Sequence, residues 1–213
     1  MKKIALAFFL ANLIAIVASA ADGIQKGNIA SRFEEKEAIT LISSNQLACT
    51  ALLGWIVFMR KKSVADRNPT PRRRRMENFW LISAAGFLYL TLDESFQFHE
   101  GMDTGVLRLF GYVENPRLDG LATGLYGLVA AAVCYYYRRE ILAHRETLVF
   151  FCLGGLFLAA TSALNIGDAP KWQIVIEETC KVMGVVSFLL GHLAAFRLSI
   201  FAADEPNPHT PGG

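Results

Sequence analysis

Long apolar stretches separated by short charged connections are the feature that most limits what this chain can become. After a basic start, Met1-Lys2-Lys3, an apolar run extends from Ile4 to Val17. Further apolar segments occupy roughly 38–59, 78–98, 118–137, 147–165 and 174–199. At 1.5 Å of rise per residue, about 20 residues cross the ~30 Å hydrocarbon core of a bilayer, and each of the later segments is of that order. Of 213 residues, 53% are hydrophobic and 19% charged. An ordinary soluble domain carries about 25% charged residues. The composition excludes intrinsic disorder and argues against a soluble enzyme. The expected fold is all-α: an integral membrane bundle of five mature transmembrane helices, or six if the N-terminal segment is not cleaved.

The amino end supports two readings. A short basic start, an apolar core and Ala18-Ser19-Ala20 describe a secretory signal peptide cleaved after Ala20. The alternative is a retained first transmembrane helix. Asn12 and the shortness of the run favour cleavage. The expected organisation is therefore 1–20 as signal peptide or first helix, 21–200 as the bundle, and 201–213 as a disordered cytoplasmic tail. That tail, ADEPNPHTPGG, is polar and proline-rich.

Charge distribution sets the expected orientation. The connection RKKSVADRNPTPRRRR follows the 38–59 segment, and RREILAHR follows the 118–137 segment. The connections 99–117 and 166–173 are poor in Lys and Arg. Positive-inside logic places 60–77 and 138–146 in the cytoplasm and the mature amino end outside. The expected location is the bacterial inner membrane, with a cytoplasmic C-terminus. The run Arg72–Arg75 could be read as a nucleic-acid or anionic-lipid patch, but directly before a span it reads first as a topology determinant. Nucleic acid is not an expected partner; the bilayer is, together with a membrane-protein partner or a second copy. Trp80 and Tyr135–Tyr137 would anchor the inner boundary and Trp172 the outer one. Cys49, Cys134, Cys152 and Cys180 all fall in apolar stretches without a CxxC, which predicts packing residues rather than disulfides or metal ligands.

With topology fixed, sequence position becomes depth. Ser43–Gln46, Thr91–Gln97, Asp119 with Thr123, Thr161–Asn165 and Glu177–Lys181 all fall toward the outer ends of their segments. Polar groups inside a bilayer are expensive and face the bundle interior or a wet cavity. A polar cavity open to the periplasm is the expectation. Asp93, Glu94 and Glu178 resist the simpler reading as solvated helix ends, because apolar residues flank them.

Two acidic motifs stand out. In Leu92-Asp93-Glu94-Ser95-Phe96-Gln97-Phe98-His99-Glu100, helical spacing puts Asp93, Gln97 and Glu100 on one face, with Glu94 at its border. In Ile176-Glu177-Glu178, the spacing offers Glu177 an i,i+4 ion pair with Lys181 and leaves Glu178 unexplained. Carboxylates at one depth cannot all ionise cheaply; they share protons, pair with cations or bind a metal. Asp93, Glu94, His99, Glu100, Glu177 and Glu178 form the candidate metal set, suited to zinc, manganese or iron. Neither the Glu-x-x-His pair of di-iron bundles nor H-E-x-x-H is present. His192 lies too deep to join this set and is expected to make an interhelical hydrogen bond.

These motifs carry two resemblances. The L-D-E-x4-H-E pattern of Leu92–Glu100, with Glu177-Glu178 followed by Gly184, resembles uncharacterised bacterial multi-pass membrane proteins over residues 78–200. That resemblance implies a helical membrane protein with an acidic, His-containing site; Lys181 departs from its pattern. The segment Ser95–His99 is similar to the S-x-x-F-H motif of alkaline ceramidase-like membrane hydrolases, which implies zinc held by three histidines. The H-x-x-x-H pair of those enzymes is absent here. The leading expectation is a membrane protein whose outer acidic site binds a divalent metal ion or relays protons. The alternatives are a metal-dependent hydrolase of lipid-like amides or esters, and a structural or assembly subunit of a larger membrane complex.

Overall fold

The computed structural model describes residues 1–33, 37–67, 69–96, 98, 121–142, 144–164 and 171–201. These form α1 (Lys2–Gln25), a 3-10 turn (Ala30–Arg32), α2 (Ala38–Arg67), α3 (Pro71–Phe96), α4 (Leu121–Tyr136), the short α5 (Arg138–Leu142), α6 (Arg145–Leu164) and α7 (Lys171–Phe201). No strand occurs among the described residues. Among the described residues, four helical stretches are long and apolar enough to cross a membrane: Lys2–Gln25, Ala38–Arg67, Arg145–Leu164 and Trp172–Ile200. The apolar part of α3 is bounded by Arg72–Arg75 at one end and Asp93-Glu94 at the other. Helix α4 is shorter. The architecture is an all-α membrane bundle.

Local signals set the element ends. Pro71 opens α3, where its missing N–H costs nothing. Thr70 caps that helix by accepting a hydrogen bond from the Arg73 amide at 3.3 Å. After α1 the chain turns at Gly27, whose φ of 75° suits a residue without Cβ.

Helix α7 is the axis of the bundle. From Val182 to Ala195 nearly every residue is buried or half-buried, as expected of a helix enclosed on all sides. Helix α6 lies along it, and α2 packs against both α7 and α3. The α6–α7 contact depends on small residues. A Cβ on Gly154 would lie 2.8 Å from the Phe188 ring, and one on Gly184 would lie 3.3 Å from the Gly154 carbonyl oxygen. Close backbone approach of this kind drives helix association in lipid, where no hydrophobic force operates between helices.

Helix α1 joins the bundle through a narrow stripe: Ala5, Asn12, Ile16 and Gly23 are buried. Ile16 packs with Ile39 and Val182, and Ala5 with Val186 and Leu190. The helix runs unbroken through Ala18-Ser19-Ala20. Asn12, which favoured cleavage as a polar residue in an apolar run, is buried and accepts a hydrogen bond from Gln46 Nε2 at 2.7 Å.

Three other placements differ from the sequence reading. Trp80 is 1% exposed and stands edge-on to His192 rather than at a membrane boundary. It shares a buried face with Ala84, one helical turn on. Tyr135, Tyr136 and Trp172 are exposed, whereas Tyr137 packs into a core cluster with Phe79 and Phe151. The four cysteines are free thiols, but Cys49, Cys134 and Cys152 lie on exposed apolar faces, so they border lipid instead of filling the core. Asp119, Asn165, Asp168 and the tail from 202 onward lie outside the described residues.

Candidate functional site

Helices α2, α3 and α7 bring the acidic motifs together at one end of the bundle. Lys181 Nζ lies 2.9 Å from Glu94 Oε1 and 3.5 Å from Glu178 Oε1. All three side chains are largely enclosed, at 20%, 8% and 13% exposure for Lys181, Glu94 and Glu178. Ser43 of α2 completes the group: its hydroxyl is 2.8 Å from Glu94 Oε1 and 2.9 Å from the Thr40 carbonyl oxygen. A hydroxyl has one proton, so it serves one of these acceptors at a time. Glu178 Oε2 is buried and has no hydrogen-bond partner among the described residues.

Helical geometry explains the pairing. Lys181 is one turn from both Glu177 and Glu178. The sequence offered it to Glu177; the structure aims it at Glu178 at i,i+3 and across to Glu94 of α3. Glu177 is half-buried, and its backbone carbonyl accepts from Thr161 of α6 at 3.4 Å. Asp93 is buried at 6% exposure on the neighbouring position of α3. At the rim, the Ser44 and Ser95 hydroxyls meet at 3.0 Å.

Four of the six candidate residues, Asp93, Glu94, Glu177 and Glu178, are thus at one end of the bundle, and Glu94 and Glu178 share a cation. His99 and Glu100 lie outside the described residues, as does Gln97. Among the described residues, no three His, Cys, Asp or Glu side chains converge on a point a metal ion could occupy. Lys181 and Ser43 are the members that motif reasoning missed. Lys181 was visible as a departure from the acidic pattern, and Ser43 as a small polar residue at the same depth.

A second polar cluster sits deeper along α7. His192 is fully buried among Trp80, Phe87 and Phe151, with ring centroids 5.4, 5.0 and 5.3 Å away. Its Nδ1 is 2.9 Å from the Phe188 carbonyl oxygen, and its Nε2 is 2.9 Å from Ser83 Oγ. A carbonyl only accepts, so Nδ1 carries the proton and Nε2 accepts from Ser83. This is the expected interhelical bond, tying α3 to α7.

The fold and the cluster define a class: a helical membrane bundle with a buried carboxylate–lysine group near one end. Within that class, the chain belongs to the family described as "Domain of unknown function (DUF8692)", whose model matches residues 4–196, α1 included. No curated protein and no solved structure matches it.

Proposed function

We propose that this is a bacterial inner-membrane protein whose periplasm-facing acidic cluster takes up and passes on protons. One observation carries the reading: the Lys181 ammonium lies between two enclosed carboxylates, and among the described residues one oxygen of Glu178 has no hydrogen-bond partner. With all three groups ionised, the trio holds a net negative charge in a medium that penalises it heavily. One added proton neutralises it. Glu178, the less satisfied carboxylate, accepts the proton, while Glu94 stays bonded to Lys181 and Ser43. Asp93, buried beside Glu94 on α3, and Glu177, beside Glu178 on α7, extend the acidic group, and His99 and Glu100 are the next titratable residues along the chain.

The donor set favours a proton over a divalent metal. A metal on Glu94 and Glu178 would have to displace the Lys181 ammonium or sit beside it against like-charge repulsion. Orientation follows the basic connections. Arg60–Lys62, Arg72–Arg75 and Arg138-Arg139 gather at the end remote from the cluster, and positive-inside logic puts that end in the cytoplasm.

Infrared difference spectroscopy between acidic and alkaline buffer tests the proposal on the purified protein. Wild type should show the stretching band of a protonated carboxyl group, and Glu178→Gln should lose it. A spectrum unchanged by Glu178→Gln would overturn the assignment.

A further inference from the structure

At the opposite end of the bundle, α3 and α4 frame an open apolar cleft of about 400 Å³. It is lined by Ile82, Val129, Ala132, Val133, Tyr136 and Tyr137. That volume is within the ~300–1,000 Å³ typical of small-molecule sites. The cleft runs toward the basic end, and its last residues carry the charge. The Arg75 guanidinium stacks over Tyr136 at 4.7 Å from the ring centroid and stands 5.8 Å from that of Tyr137. Its Nη2 donates to the Tyr136 carbonyl at 2.6 Å, fixing the group at the cleft mouth. Arg138, exposed, stacks over Tyr135 at 4.3 Å. On the two segments framing the mouth, Arg72–Arg75, Arg138 and Arg139 outnumber Glu77 and Glu140. His144, on the connection between α5 and α6, is held below the usual histidine range, first by burial and then by Lys61 and Arg72. Its nearness to both places the ends of α2, α3 and α5 around one positive region.

We infer that this cleft binds an anionic diacyl phospholipid, with an acyl chain along Ile82, Val129 and Val133 and the headgroup phosphate between Arg75 and Arg138. The two halves of the site match the two halves of such a lipid. The walls offer no hydrogen-bonding side chain below the tyrosines, which suits hydrocarbon. The mouth offers guanidinium groups, whose forked donors suit phosphate oxygens. Basic pockets between transmembrane helices on the cytoplasmic side recognise anionic headgroups through this combination.

Native mass spectrometry of the delipidated full-length protein tests it, using equimolar phosphatidylglycerol and phosphatidylcholine with matched chains. Phosphatidylglycerol should be retained at least about fivefold better, the value of one arginine contact at a membrane surface. Arg138→Gln should lower that preference, and Arg75→Gln with Arg138→Gln should abolish it. Ala132→Trp, which fills the cleft from an exposed position, should reduce retention of both lipids. Equal retention of the two lipids by wild type would overturn the inference. So would a preference untouched by all three variants, displacement of the lipid by excess glycerol phosphate alone, or a lipid-free dimer that Ala132→Trp dissociates. Because Arg75 is packed against two rings, the exposed Arg138 and Ala132 keep the test valid if Arg75→Gln fails to fold.

Discussion

Two polar clusters share helix α7, separated by roughly 16 Å of helix rise, and they solve the problem of polarity inside a bundle in opposite ways. Around His192 every demand is met. Each ring nitrogen has one partner, aromatic faces fill the remaining space, and the imidazole is wholly enclosed. Around Lys181, among the described residues, the demands exceed the supply: two carboxylates, one ammonium, one hydroxyl and an unmet oxygen on Glu178. A satisfied polar group fixes helix positions and leaves no chemistry to do. An unsatisfied charged group retains the capacity to bind something.

Removing Lys181 should break the comparison most severely. Lys181→Met leaves two carboxylates facing each other and should cost about 3–5 kcal/mol, the range for deleting one partner of a buried ion pair. Chemical unfolding in mixed detergent measures the loss, and Glu94→Gln in the same chain should restore part of it. Equal stability of Lys181→Met and wild type would show that the trio is not coupled. Ser83→Ala should come next. It leaves His192 Nε2 without its donor in a dry pocket, at about 1–3 kcal/mol. The carboxyl band in infrared spectra should remain as in wild type, because the two clusters do different work; a change in that band would join them. Asn12→Leu should be smallest, about 0.6 kcal/mol, as for an average hydrogen bond between membrane helices. A loss several times larger would make the Asn12–Gln46 contact a third organising cluster rather than a minor clamp on α1.

Much of this architecture is legible in the sequence, because apolar length and charge placement act locally. The apolar segments, the interhelical bond of His192 and the gathering of acidic residues at one end follow from periodicity and depth, whereas the boundaries do not: most of the expected connection 60–77 is helical, in α2 to Arg67 and in α3 from Pro71. What sequence could not supply is rotation about a helix axis. Trp80 reads equally well as a boundary anchor or a core residue; only the position of His192 of α7 against its ring decides it. Lys181 has two glutamates one turn away, and only the arrival of Glu94 from α3 selects Glu178 over Glu177. Asn12 is a poor residue for an apolar run until Gln46 of α2 is set against it. In each case a residue on a different helix, far away in sequence, settles the choice.

Ser43 gives the acidic cluster a means of reporting its own state. Its single proton has two takers, the Glu94 carboxylate and the Thr40 carbonyl. A charged Glu94 draws the proton across to α3, since hydrogen bonds to ionised acceptors are roughly twice as strong as neutral ones. Protonation of Glu178 leaves Lys181 wholly to Glu94, which weakens that carboxylate as an acceptor, and the hydroxyl proton then turns to the Thr40 carbonyl of α2. The hydroxyl is therefore a toggle that converts charge on one helix into a hydrogen bond on another. The Thr40 carbonyl stretch, isotope-edited, is expected to shift with pH in wild type and to stand still in Ser43→Ala; a shift that persists in the variant would mean that the toggle is not the messenger.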